Sequence, residues 1–431
     1  NEEDVQDLIT LMSDVRPYVD SALEYTRTQE EKGLLMLDLD SVISYCEGIV
    51  ESGEDSAVLQ AMNDSIAALE LGEEKIAQYQ EQLRTAFSDS FLSAYQDILD
   101  TMRELQSSGE NNEQGLAQFE YGKEYYALLL QQSIGSNKTP EEVKAMMEEA
   151  FNEHLQQLQM YAMAYPEETE QVLSQDLPKT GYTSYDEILQ DLQGKIFDSF
   201  PQVEDLSYQI EDVNEEIASD SGVAAYFNIP SLDGDTVKQL RVNPNNAGVD
   251  SIDTFSTVAH EGFPGHMYQY AYMYENIDSN FIKALANVGA YTEGFAVYAQ
   301  YESLQYLEGI SQELLDVYRE YELLTYCLVI AADIGIHYEG WSLQEFEDYF
   351  TEMGLSIGSG DALYQQLQAN PAVFETYYVG YHEIMDLREK AEDALGNAFE
   401  EKAFNEALLE SGTAPFSVVE RHIDAYIESA S

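Results

Sequence analysis

Apolar residues recur at helical spacing along most of this chain. Over residues 3 to 51 they fall at Val5, Leu8, Ile9, Leu11 and Met12, with an interruption expected near Pro17. Residues 57 to 107 carry the pattern of one or two further helices, and residues 115 to 133 that of another. Thr139-Pro140-Glu141-Glu142 reads as a helix start: Thr139 caps, Pro140 takes the first helical position and Glu142 completes a capping box. That helix is expected to run to about Met163, with shorter ones at about 166–176 and 184–199. The pattern changes between Gly222 and Val242. Val223 to Ile229 and Val237 to Val242 read as strands around a turn at Asp233-Gly234-Asp235, a short β-hairpin or pair of edge strands. Helical spacing resumes from Thr254 and continues almost to the C-terminus. No repeat or low-complexity linker interrupts it. The expectation is a mainly α fold, a large multi-helix body with a small β-hairpin element near 222–243. It is read as one domain over 1–431, with a helical N-terminal part at 1–135 and the motifs in 136–431.

Composition narrows the partners. The chain has 431 residues and 44% hydrophobic content, enough for a large core. Its 19 basic and 82 acidic residues give a formal charge of -63. Nucleic acid and anionic membrane are therefore poor partners, because phosphate binding needs clustered Lys and Arg. No apolar run is long enough for a transmembrane helix. Cys46 and Cys327 lie far apart among apolar neighbours and read as buried free thiols rather than a metal or redox motif. The chain starts at Asn1 with no visible signal peptide, and a processed form that has lost an export signal fits that start.

The segment with the most chemistry is His260-Glu261-Gly262-Phe263-Pro264-Gly265-His266. It places two of six histidines beside a carboxylate. Zinc sites use such groups: imidazole ligands, an open position and a general base. In a plain H-E-x-x-H helix the two rings sit about 40° apart around the axis. A six-residue separation gives about 240° on a regular helix, which would put them on nearly opposite faces. Pro264 argues against a regular helix, and Gly265 relaxes the backbone where the chain must bend. A bulge or kink here could return His266 to the face of His260. The alternative is a helix-start histidine and an unrelated one beyond a turn.

Glu293 lies in an otherwise apolar helical stretch, Phe281 to Tyr301, 27 residues beyond His266. That length allows a helix, a turn and an antiparallel return. An unpartnered carboxylate is costly to bury, and a metal would explain it. Gly294 would permit close approach of the two helices. His337, beside the only tryptophan, and Tyr378 could each donate to an oxyanion. Taken alone, each reads rather as an ordinary core residue: a satisfied core histidine, and one of 32 tyrosines in a packed helix. His154, His382 and His422 read as structural or surface residues.

With these segments in view, the chain resembles the bacterial "domain of unknown function 885" proteins, which are similar to gluzincin metallopeptidases. The resemblance rests on ordered blocks. They are Thr139 to Glu142, Tyr226 to Pro230 with Asp233-Gly234, the H-E-x-x-P-G-H block within His260 to Gln269, Glu293 to Ala299, Asp333 to His337, and Pro371 through Tyr378-Val379-Gly380 to Arg388. Together they span roughly residues 139 to 395. The resemblance implies a mainly helical fold with a deep active-site cleft and a Zn2+ site. It implies His260, His266 and Glu293 as ligands, Glu261 as general base, and His337 and Tyr378 as transition-state donors. It favours an extracellular or cell-envelope location, as members include secreted proteins and lipoproteins. The chain departs from the common pattern at Phe295, where Trp is usual. Gln300 replaces a frequent Glu, which puts any supporting role of that carboxylate in doubt. Met267 replaces a frequent second histidine.

The expected function is a zinc-dependent hydrolase, foremost a metallopeptidase acting on a peptide or small amide substrate. The competing readings are a non-catalytic extracellular binding protein on the same scaffold, and a metal-dependent hydrolase of non-peptide amides or esters.

Overall fold

The computed structural model describes residues 1–214, 224–232, 237–245, 248–355 and 360–430. The chain forms two compact units, Asn1–Gly115 with Val213–Gly222, and Leu116–Asp212 with Val223–Ser431. The boundary falls at Gly115, upstream of the division at 135 drawn from the sequence. Among the described residues the fold is mainly α, as the periodicity predicts.

The first unit holds α1 (Glu2–Glu31), α2 (Leu39–Ser52), α3 (Ala57–Ala67), α4 (Glu73–Ala86) and α5 (Ser93–Ser108). Pro17 does not interrupt α1, contrary to expectation. A proline deprives the carbonyl four residues earlier of its helical donor. Here the Ser90 hydroxyl donates to Ser13 O at 3.0 Å and accepts Arg16 N–H at 2.9 Å, so the defect is repaired from a neighbouring segment. The break comes instead at 32–38, where Asp38 caps the start of α2. Val5, Met12, Leu59, Ile66, Leu83 and Phe87 form one core of this unit. Leu35, Leu39, Met102 and Leu105 form another.

The second unit begins with α6 (Gly122–Ile134), α7 (Pro140–Ala164), α8 (Pro166–Leu173) and α9 (Tyr185–Lys195). The capping box at the start of α7 is present in full. A three-stranded sheet follows, β1 (Tyr208–Asp212), β2 (Ala225–Asn228) and β3 (Lys238–Val242), in the order β1-β3-β2. β2 and β3 are antiparallel with Phe227 opposite Leu240, as the hairpin reading expects. The expected turn at Asp233-Gly234-Asp235 lies outside the described residues. β1 is an addition, parallel to β3 with Ile210 opposite Leu240. Its Tyr-Gln-Ile-Glu-Asp sequence has too little apolar alternation to announce a strand.

The remaining helices are α10 (Ile252–Glu261), α11 (His266–Asn276), α12 (Asn280–Leu285), α13 (Gly289–Glu302), α14 (Gln312–Ile334), α15 (Leu343–Glu352), α16 (Asp361–Ala369), α17 (Glu375–Leu395), α18 (Glu401–Leu409) and α19 (Phe416–Ala430). The apolar stretch Phe281 to Tyr301 is thus two helices, not one. α13 packs on α17 and α10, and α14 packs on α7. Gly294 of α13 meets Gly380 of α17 backbone to backbone: a Cβ on Gly294 would lie 2.3 Å from the Gly380 carbonyl carbon. The close approach expected of Gly294 is therefore to α17, well beyond the histidine segment in sequence. Among the described residues no helix is long and apolar enough to cross a membrane, and both cysteines are buried and free.

Candidate metal centre

The histidine segment is built as a helix break. α10 ends at Glu261, Gly262 caps it, and α11 starts at His266. The Phe263–Pro264 peptide is cis. Gly265 is required here. Its N–H donates to Ala259 O at 2.9 Å, and a Cβ on it would lie 1.8 Å from the His260 carbonyl oxygen. The chain folds back on the last turn of α10 through this contact, and the rings of His260 and His266 meet edge to face at 4.8 Å. The bend does what the sequence left open, by ending one helix and starting another rather than by a bulge within one.

Glu293 of α13 completes the group. Its Oε2 lies 3.3 Å from His260 Nε2 and 3.3 Å from His266 Nε2. One ligand atom from each of the three residues falls within 4.8 Å of the others. His260 and His266 are each 8% exposed. Burial pushes the Glu293 carboxyl up, but hydrogen bonds from His260 and His266 outweigh it and hold the group at about 2. Burial lowers the His266 value, yet the hydrogen bond and charge of Glu293 and the charge of Glu261 leave it raised. Each group thus favours its charged form because the other is there.

The donor set fits a zinc ion. His260 Nδ1 lies 3.1 Å from Gln300 Oε1, an acceptor that requires the proton on Nδ1. The Nε2 lone pair of that tautomer then faces a carboxylate oxygen. Two acceptors at 3.3 Å repel unless a cation, proton or metal, lies between them. Two nitrogens and one oxygen also match the three-ligand pattern of catalytic zinc, which leaves a position open. Gln300, the amide that stands where a Glu is frequent in the family pattern, is the residue that makes the contact to His260 Nδ1.

Glu261 is held from the sheet. β2 is an edge strand, and Phe227 N–H donates to Glu261 Oε2 at 2.8 Å. Its other oxygen has no protein partner among the described residues. Tyr377 of α17 stacks on His260, with centroids 6.1 Å apart and planes 22° apart. Burial and the charges of Glu293 and Glu261 raise its phenol, so it remains a proton donor.

The structure brings His260, His266, Glu293 and Glu261 together and leaves His337 and Tyr378 elsewhere. His337 is fully buried. Its Nδ1 accepts Leu116 N–H at 3.2 Å and its Nε2 donates to Leu367 O at 3.0 Å, so both ring nitrogens are engaged. The Tyr378 hydroxyl is 2.6 Å from His154 Nε2. Tyr377, its neighbour in sequence, is the residue that faces the centre. In a run of two tyrosines the sequence offers no signal for which one points inward. His154, expected as a structural or surface residue, is engaged by partners 166 and 224 residues away in sequence.

A family model described as "Bacterial protein of unknown function (DUF885)" matches residues 1–423, and the chain belongs to that family. No curated protein sequence matches it significantly. Among solved structures, a protein from Colwellia psychrerythraea described as a candidate lipoprotein shares the fold with a TM-score of 0.85 at 20% identity. That match covers 100% of this chain and 77% of the other. A candidate lipoprotein of unknown function from Shewanella oneidensis matches with a TM-score of 0.62 at 16% identity, covering 97% and 78% of the two chains.

Proposed function

We propose that this member of the family is a zinc-dependent hydrolase of the cell envelope or exterior, similar to gluzincins, with peptide bonds as its first substrate class. One observation carries the reading: His260 Nε2, His266 Nε2 and Glu293 Oε2 converge beside a carboxylate, Glu261, that is oriented but not consumed. The location rests on the two fold neighbours described as candidate lipoproteins. His260, His266 and Glu293 would hold the ion. Zinc supplies Lewis acidity, which polarises a carbonyl and makes water acidic near neutral pH.

The chain's own residues supply the rest. Phe227 N–H fixes one oxygen of Glu261, so the free oxygen can take a proton from water as that water attacks the scissile carbonyl carbon. The same carboxyl returns the proton to the leaving nitrogen. The Tyr377 phenol, kept protonated, would donate a hydrogen bond to the developing oxyanion. Gln300 holds the His260 tautomer that presents Nε2.

The test is metal analysis together with digestion of a mixed peptide library. Wild type should carry one zinc and cleave. Glu261→Gln should keep zinc and lose about 10²–10⁴-fold in rate. His260→Ala should lose both. Full activity in Glu261→Gln rejects the mechanism. Zinc without cleavage of peptides, other amides or esters points to a binding protein instead.

A further inference from the structure

Tyr378, His154 and Glu320 form a hydrogen-bonded chain that the proposed hydrolysis does not use. His154 Nδ1 lies 2.7 Å from Glu320 Oε2, and His154 Nε2 lies 2.6 Å from the Tyr378 hydroxyl. The Arg319 guanidinium is 3.3 Å from Glu320 Oε1. Burial pushes the Glu320 carboxyl up, but the hydrogen bond and charge of His154 and the charge of Arg319 hold it below the ordinary value. An ionised Glu320 accepts only, so His154 Nδ1 carries a proton, and the opposite ring nitrogen, Nε2, shares a hydrogen bond with the Tyr378 hydroxyl. The imidazole is thereby held between the Glu320 carboxylate and the phenol oxygen.

The chain leads somewhere. The Tyr378 ring stacks on Tyr326 at 6.3 Å and 21°, and Tyr326 stacks on Tyr377 at 6.2 Å and 16°. Tyr377 stacks on His260 at 6.1 Å and 22°. Three near-parallel phenol rings therefore link the hydrogen-bonded chain to a candidate metal ligand, at separations where rings still interact. Three helices are tied in this way: α7 through His154, α14 through Glu320 and Tyr326, and α17 through Tyr377 and Tyr378. Packing alone does not call for it. A phenylalanine at 378 would fill the same core without a buried hydroxyl that must be satisfied.

We propose that Glu320, His154 and Tyr378 act as a positioning latch: they fix the Tyr326–Tyr377 stack against His260 and so set the orientation of a ligand that none of them touches. The consequence for zinc affinity rests on reading the centre as a zinc site; the effect on the His260 ring does not.

Six histidines make the imidazole NMR spectrum of the metal-free protein tractable. In Tyr378→Phe, which keeps the ring and removes the hydroxyl, the ring resonances of His154 and His260 should both shift. Those of His337 and His422 should stay. Zinc affinity, measured by competition with a chelator, should weaken about 10-fold, the scale of losing a supporting contact around a ligand. His154→Leu should do the same. His154→Gln, which offers Glu320 a donor and Tyr378 an acceptor, should recover most of the loss. Unmoved His260 resonances in Tyr378→Phe and His154→Leu overturn the latch, as does wild-type-like zinc affinity in both. If the wild type binds no zinc, the zinc reading falls alone, and the metal-free spectra still decide the latch.

Discussion

Two groups of carboxylates in the second unit behave in opposite ways. At the candidate centre Glu293 sits between two imidazoles and is held down at about 2. At the other, Asp333 and Glu375 are fully buried around the Tyr126 hydroxyl, 2.7 Å from Asp333 Oδ2 and 2.8 Å from Glu375 Oε1. Burial pushes both of these carboxyls up, and the charge of Asp333 pushes Glu375 further. A phenol has one proton and can donate to only one of them. Asp333 Oδ2 also accepts Ala372 N–H at 3.1 Å, which marks it as the ionised partner, so Glu375 carries its own proton. Among the described residues no basic side chain donates to this pair; His337 Nε2, at 3.7 Å from Asp333 Oδ1, is already donated to Leu367 O. The lesson is that burial alone does not make a site. A carboxylate among imidazoles keeps its charge, because the rings donate to it or share a cation with it, whereas a carboxyl facing another carboxyl gives up its charge by taking a proton.

The comparison can be broken at either end. The largest effect should come from Glu293→Ala, which removes a ligand oxygen: zinc and hydrolysis should both be lost, read by metal analysis and turnover, while Asp333→Asn should leave zinc content unchanged. Next, Gln300→Ala should weaken zinc about 10–100-fold in a chelator competition, because nothing then selects the His260 tautomer. A smaller effect is expected of Tyr126→Phe. It strips a shared donor from two buried acceptors and should cost about 1–3 kcal/mol in urea unfolding, with zinc affinity unaltered.

The smallest effect is the sharpest in sign. The Glu375 carboxyl is raised in the folded protein, so its contribution to stability is full below the ordinary 4.5 and is lost as pH rises through the raised value. Glu293 in metal-free protein is the reverse: its contribution is present above 4.5 and is lost as pH falls towards about 2. Glu375→Gln should therefore flatten the stability profile on the upper side of pH 4.5, and Glu293→Gln on the lower. Urea midpoints across pH 3 to 8 would tell the two apart, and equal slopes in both variants would remove the distinction.

Much of the fold was legible because helices and their starts are local. The Thr139 capping box, the helical spacing around it and the antiparallel pair β2–β3 follow from neighbouring residues. The failures were places where a distant group intervened. Pro17 stays inside α1 because Ser90 reaches back to its unpaired carbonyl. β1 forms because β3 offers it an edge, although its own sequence is mostly polar.

The candidate site divides in the same way. His260, Glu261 and His266 could be picked out from their types and order, and Glu293 from a carboxylate among apolar neighbours. These are properties of short segments, set by which side chains can bind a metal or carry a proton. What the sequence could not decide was direction. Whether His266 returns to His260 depends on Gly265 lying against the end of α10. Which of Tyr377 and Tyr378 faces the centre depends on His154, more than two hundred residues away, engaging the other. Whether Asp333 and His337 are chemistry or scaffold depends on Tyr126 and Glu375 filling the space around them. Side-chain identity sets what a residue can do, and only the packing of remote helices sets what it faces.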